Sequence, residues 1–268
     1  MTRLPDPLRS RAILIGAATY IDPELDDLPS VRNNVADLAA ILTSDRGTGL
    51  PAEHCTVIEA DFESLGDRVE QAVAEADDLL LLYYAGHGLI DSQGRLHLAL
   101  PSTRLASVLW TALPFDTIRE SLSGAKARTR VVILDCCYSG RAIGHMTGPA
   151  LAGQLDVDGT YTLTATARNQ PALAPPGAAH TAFTGELITL LANGDAEGDD
   201  LLTLGHVYHR LRQVMHRRNL PQPERCGTRT ADLLALAPNA AKSVTVARTP
   251  VRLGPRKVGR RVPRRGDT

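Results

Sequence analysis

Short apolar or β-branched runs alternate along the chain with stretches in which apolar residues recur every three or four positions. The runs at residues 12–17, 55–60, 79–84, 130–134, 161–166 and 233–237 predict six strands. Two of them, Leu79-Leu80-Leu81-Leu82-Tyr83-Tyr84 and Val131-Val132-Ile133-Leu134, show no polar alternation, which is the mark of strands buried on both faces. Helical spacing appears over residues 30–42, where Val31, Val35, Leu38, Ile41 and Leu42 share a face and Ser30 stands at the N-cap position. It recurs over residues 64–76 (Leu65, Val69, Ala72, Val73), 114–122, 183–192 and 204–218. Residues 96–100 alternate as one arm of a small hairpin, and residues 140–158 and 167–180 read as loops. Strands alternating with helices predict an α/β fold in three layers, α/β/α, around a mainly parallel sheet of about six strands.

Patterning stops after Pro238. Residues 239–268 carry nine basic side chains (Lys242, Arg248, Arg252, Arg256, Lys257, Arg260, Arg261, Arg264, Arg265) against one acid, Asp267. Taking these from the 29 basic and 30 acidic residues of the chain leaves a body of 20 and 29, an acidic globule with a basic tail. The expected organisation is one domain over residues 1–238 and a disordered tail over 239–268, with weak affinity for nucleic acid or anionic membrane. Residues 1–11 lack the apolar core of a signal peptide, and no run reaches membrane-spanning length. Four cysteines, two of them adjacent, do not make a disulfide framework; the expected compartment is the cytoplasm.

Chemistry gathers at the ends of the two most apolar runs. One ends in Gly86-His87-Gly88, the other in Asp135-Cys136-Cys137-Tyr138-Ser139-Gly140. In open α/β sheets, working groups sit just beyond the carboxyl ends of the strands. A cysteine nucleophile needs a base to make the thiolate and N–H donors for the oxyanion formed when it attacks a carbonyl. His87 supplies the base, Cys137 the thiol, and the backbone N–H groups of Gly88 and Cys137 are the expected oxyanion donors. Either residue alone reads as a packed structural side chain. Together, fifty positions apart and each followed closely by glycine, they predict a Cys–His dyad. The remaining histidines show no zinc-ligand spacing, and the segment Leu89–Arg95 holds a single acid, Asp91. No metal or other cofactor is expected.

These two motifs resemble the signatures of the caspase and metacaspase family of cysteine endopeptidases. The likeness extends over roughly residues 11–237, including the entry to the first helix and Phe183-Thr184 at the opening of a later one. The resemblance implies His87 as catalytic histidine and Cys137, not Cys136, as nucleophile. It implies further that Asp135 lines the pocket for the residue before the scissile bond, which favours Arg or Lys there. Metacaspases usually carry Asn-Asp at the start of the first helix. Here Asn33-Asn34 stands there, so Asn34 takes the place of the second acid, and Asp37, one turn on, is the residue that would substitute for it. The implied partners are protein or peptide substrates and a separate activating or sensor protein, in a stress, cell-death or defence pathway. The rival reading is a catalytically silent interaction module on the same fold.

Overall fold

The computed structural model describes residues 1–59, 63–136, 138–139, 159–165, 177–227 and 230–242. Cys137, most of the two expected long loops, the end of the expected fifth strand at residue 166, and the tail from residue 243 onward lie outside the described residues.

The elements run β1 (Arg11–Gly16), α1 (Ser30–Thr43), β2 (Cys55–Ile58), α2 (Leu65–Glu75), β3 (Leu79–Ala85), β4 (Gly88–Ile90) and β5 (Leu96–Leu98). They continue through α3 (Val108–Thr111), β6 (Leu113–Pro114), α4 (Phe115–Ser123), β7 (Thr129–Asp135), β8 (Tyr138–Ser139) and β9 (Thr160–Thr164). The last are α5 (Ala182–Asn193), β10 (Leu201–Thr203), α6 (Leu204–Arg217), β11 (Glu224–Cys226) and β12 (Ala235–Pro238).

A six-stranded sheet in the order β2-β1-β3-β7-β9-β11 forms the centre. Its first five strands are parallel, and β11 closes the edge antiparallel to β9. The unbroken apolar runs are explained by cover on both faces. Along β1, β3 and β7, alternate residues point to opposite sides. Leu14, Leu81, Tyr83, Val131 and Ile133 pack in one core with side chains of α1, α5 and α6. Ile13, Ile15, Leu80, Leu82, Val132 and Leu134 pack in a second core with α2 and α4. Every residue of β3 is buried. Truncating one of these leucines to alanine costs about 2–5 kcal/mol.

One expected strand is corrected. Residues 233–237 do not provide the sixth strand of the sheet. That place is taken by β11, while β12 pairs with β10 in a separate two-stranded sheet. The apolar content of β12 marked burial, not its partner. Asn239, just beyond β12, is itself buried and donates to the carbonyls of Asp195 and Asp199, both at 2.7 Å.

A second, four-stranded sheet in the order β6-β5-β4-β8 grows from the carboxyl end of the large one. Its β4–β5 hairpin turns on Asp91. One carboxylate oxygen accepts from the N–H groups of Gln93 (2.8 Å) and Arg95 (2.9 Å). The other accepts from Arg95 Nε (2.9 Å) and lies 3.0 Å from Nε2 of the buried His97. Burial pushes the Asp91 carboxyl up, but these donors outweigh it and hold the pKa at about 2. A carboxylate lowered on folding stabilises the fold above its unfolded pKa, and that stabilisation is lost as pH falls through the folded value.

Asp91→Asn keeps one acceptor oxygen but turns a donor toward Arg95 and His97. In thermal melts near neutral pH it should cost about 1–2 kcal/mol, or roughly 2–8 °C in Tm. The gap between variant and wild type should close as pH falls from about 4 to about 2; a gap that stays constant over that window would contradict the assignment.

Candidate active site

The site starts from strand register. β3 and β7 pair in parallel from Leu79↔Thr129 to Ala85↔Asp135, a constant offset of fifty residues. His87 and Cys137 are separated by the same fifty positions. Past the last pair, the Gly86 N–H donates to the Asp135 carbonyl at 3.3 Å. Gly86 has φ +157°, and a Cβ there would run into the Tyr84 hydroxyl and come within 2.9 Å of that of Tyr20. Only glycine leaves room for the two tyrosines at this turn.

The two phenols fix the backbone of His87. Its N–H donates to the Tyr20 hydroxyl at 3.1 Å, and its carbonyl accepts from the Tyr84 hydroxyl at 2.9 Å and from the Ala99 N–H at 2.9 Å. The ring stands 4.9 Å from the Tyr20 ring, tilted by 49°. Its Nε2 lies 2.8 Å from the Asp26 carbonyl oxygen. A carbonyl only accepts, so Nε2 carries the hydrogen in this contact, and in the neutral ring the lone pair falls on Nδ1. The half-buried imidazole therefore has one nitrogen tied down and the other fitted to act as a base.

Gly88 opens β4. It pairs with Leu98 on one side and with Tyr138 of β8 on the other. The strand that begins one residue after His87 is thus joined to the strand that begins one residue after Cys137 in the sequence. Cys137 itself lies outside the described residues.

Asp135 ends β7 and is 2% exposed. Its Oδ2 accepts from the hydroxyls of Thr181 and Thr184, the latter at 2.5 Å, and from Asn34 Nδ2 at 3.4 Å. With the Thr184 hydroxyl committed as a donor, the buried Tyr83 hydroxyl, 2.7 Å away, is the one that donates to it. Asn34 also holds Thr181, accepting its N–H at 3.2 Å and donating to its hydroxyl at 2.8 Å. Asp135 Oδ1 is buried with no hydrogen-bond partner. Burial raises the Asp135 pKa, and the Thr181, Thr184 and Tyr83 hydroxyls pull only part of the way back.

Of the expected substrate-binding residues, Asp135 and Asn34 are therefore brought together. Asp37 is engaged elsewhere: its carboxylate meets His180 Nε2 at 2.6 Å near the surface. Asn33 Nδ2 donates to the Ala179 carbonyl at 2.8 Å. The first turns of α1 thus hold residues 179–181 in place. Sequence reasoning missed Tyr20, Tyr83, Thr181, Thr184 and the Asp26 carbonyl. The tyrosines and threonines read as ordinary strand, loop and helix-start residues, and a backbone carbonyl leaves no trace in a sequence.

Burial pushes Cys55 up to about 11, and Cys136 is fully buried in the core beside α2 and α4. Among the described residues, no three His, Cys, Asp or Glu side chains gather as a metal site, and no helix is long and apolar enough to cross a membrane.

The family model of the caspase domain matches residues 9–232. Among solved structures, the chain resembles caspase-1 from Spodoptera frugiperda with a TM-score of 0.57 at 13% identity, over 84% of this chain and 89% of that one. That likeness is one of fold. No curated protein sequence shows significant similarity to the chain. The parallel sheet with its antiparallel edge, the histidine at the end of β3 and a family match spanning most of the chain lead to one conclusion: this protein belongs to the caspase-domain family of cysteine peptidases.

Proposed function

We propose that the protein is a metacaspase-like endopeptidase that cleaves protein substrates after Arg or Lys with a His87–Cys137 dyad. The observation that supports this reading is the oriented imidazole: its Nε2 is held by the Asp26 carbonyl, and the β3–β7 register pairs Ala85 with Asp135, two positions before His87 and Cys137 in the sequence. In this mechanism Nδ1 takes the proton of the Cys137 thiol, and the thiolate attacks the scissile carbonyl. The N–H groups of Gly88 and Cys137 receive the oxyanion. His87 then gives its proton to the leaving amine as the C–N bond breaks, leaving an acyl-enzyme on Cys137. A water, deprotonated by His87, cleaves the thioester and restores the thiol.

The basic preference rests on Asp135. A buried carboxylate oxygen without a partner is costly, and a substrate cation is the group that would satisfy it. Asn34 positions Thr181 and adds no second charge, and Asp37 acts through His180. From the family resemblance we infer a role in a stress, cell-death or defence response in the cytoplasm, switched by a separate protein.

Matched fluorogenic peptides ending in Arg and in Asp test the assignment. Wild type should turn over the Arg peptide, and Cys137→Ala or His87→Ala should reduce kcat by roughly a thousandfold or more. Turnover of the Asp peptide instead would reject the specificity. No turnover, together with a Cys137 thiol inert to iodoacetamide, would leave a silent binding module.

Because burial holds the Asp135 pKa above its usual value, protonation on acidification should remove the charge that selects a cation at a higher pH than for an exposed aspartate. The ratio of kcat/KM for an Arg peptide over its uncharged citrulline counterpart should fall as pH drops toward the raised Asp135 pKa. Asp135→Asn should flatten that dependence and bring the ratio down at every pH. A pH-independent ratio in wild type would count against Asp135 as the selector.

A further inference from the structure

One groove takes no part in the site described above. It has a volume of about 580 Å³, and Ile21, Leu65, Val69, Trp110, Leu113 and Ile118 supply its apolar walls. Two of these are surface anomalies. Trp110, the only tryptophan in the chain, is 89% exposed, and Ile21 is 60% exposed. Leu109, beside Trp110 on the four-residue helix α3, is 51% exposed, whereas Val108 in the same helix is buried. Two of the large apolar side chains exposed among the described residues, Ile21 and Trp110, therefore line one groove, with Leu109 next to Trp110 in the sequence. Exposed apolar residues scattered singly need no explanation, but a cluster around a concave groove marks a contact surface.

The groove and the histidine share one loop. Ile21 follows Tyr20, whose ring packs on that of His87 and whose hydroxyl holds the His87 N–H. The same loop supplies the Asp26 carbonyl. On its far side the loop is pinned to residues that line or adjoin the groove: the Ile21 N–H donates to the Pro101 carbonyl at 2.9 Å, and Asp22 accepts the Leu105 N–H at 2.7 Å. A polypeptide crossing His87 and leaving over Tyr20 would meet Ile21 next. The charges at the rim, Arg104 and Glu70, are of opposite sign, and Glu70 already accepts the Ser121 hydroxyl at 2.7 Å. Recognition here is apolar rather than ionic.

We propose that the Trp110 groove is an exosite for the protein substrate: it binds a segment with large apolar side chains, away from the scissile bond. The proposal builds on the peptidase reading, so its test has an arm independent of turnover. The substrates are a short fluorogenic peptide ending in Arg and a Trp-free peptide in which the same Arg is followed by a segment rich in Leu and Val. In Trp110→Ala, kcat/KM for the long peptide should fall about tenfold, mainly through KM, while the short peptide stays within about twofold. Equal losses for both, or no loss for either, would overturn the exosite.

The second arm uses Cys137→Ala, in which Trp110 is the sole tryptophan reporter. The long peptide should move its emission to shorter wavelength in a saturable way. A version with Ser in place of Leu and Val should not. Ile21→Ser, an exposed substitution that keeps the reporter, should weaken the binding. No shift with the long peptide would overturn the proposal whatever the activity. A shift without any cleavage by wild type would keep the docking site and reject only the peptidase reading. A shift that speeds cleavage of the short peptide would assign the groove to an activating partner and overturn the substrate exosite.

Discussion

The parallel pairing of β3 with β7 is the constraint on which the rest of the site depends. Neither strand has a polar face, so each is stable only at the centre of the sheet with helices on both sides. Burial on both faces also fixes the register, because a slip of one residue would exchange the two cores and bring Tyr83 and Tyr84 to the wrong sides. Tyr83 reaches Thr184 beneath Asp135, while Tyr84 reaches the His87 carbonyl. Adjacent residues on opposite faces of one strand thus support the two halves of the site, and both halves depend on the same register.

Around that pair, the chain spends stability on polarity. Asp135 is a buried acid whose cradle comes from two distant places: Asn34 on α1, and Thr181 and Thr184 at the start of α5. Hydroxyl and amide donors lower the cost of the charge without cancelling it, which is why the carboxyl still titrates high. Asp91 is the contrasting case. It meets backbone amides, Arg95 and His97 together, and its pKa drops well below the usual range. One acid organises a turn, and the other keeps an unsatisfied oxygen.

Much of this was legible in the sequence, and the limits follow from physics. The two central strands, the five longer helices and the His87 and Asp135 strand ends were readable because burial imposes a pattern on consecutive residues, a pattern too short to see in the four residues of α3. The sixth strand was misplaced because the apolar run 233–237 signals burial without naming a partner, while Glu224-Arg225-Cys226, short and polar, gives no strand signal of its own. The hydroxyl cradle was hidden for a related reason. Thr181 and Thr184 lie some fifty positions from Asp135 in the sequence, and threonine before a helix reads as an ordinary start signal. Asp37 was a reasonable surrogate acid by helical spacing, yet its exposed carboxylate meets His180 instead of joining Asp135.

The Asp26 contact has a consequence for how this protein can change over time. What the imidazole touches is a peptide oxygen, which every amino acid possesses. Selection on the histidine's orientation therefore acts on the path of the loop and not on the letter at position 26. Side-chain scanning across that loop would pass over the contact, and lineages can diverge there without losing it. A contact of this kind constrains where the backbone runs and leaves the choice of side chain at that position open.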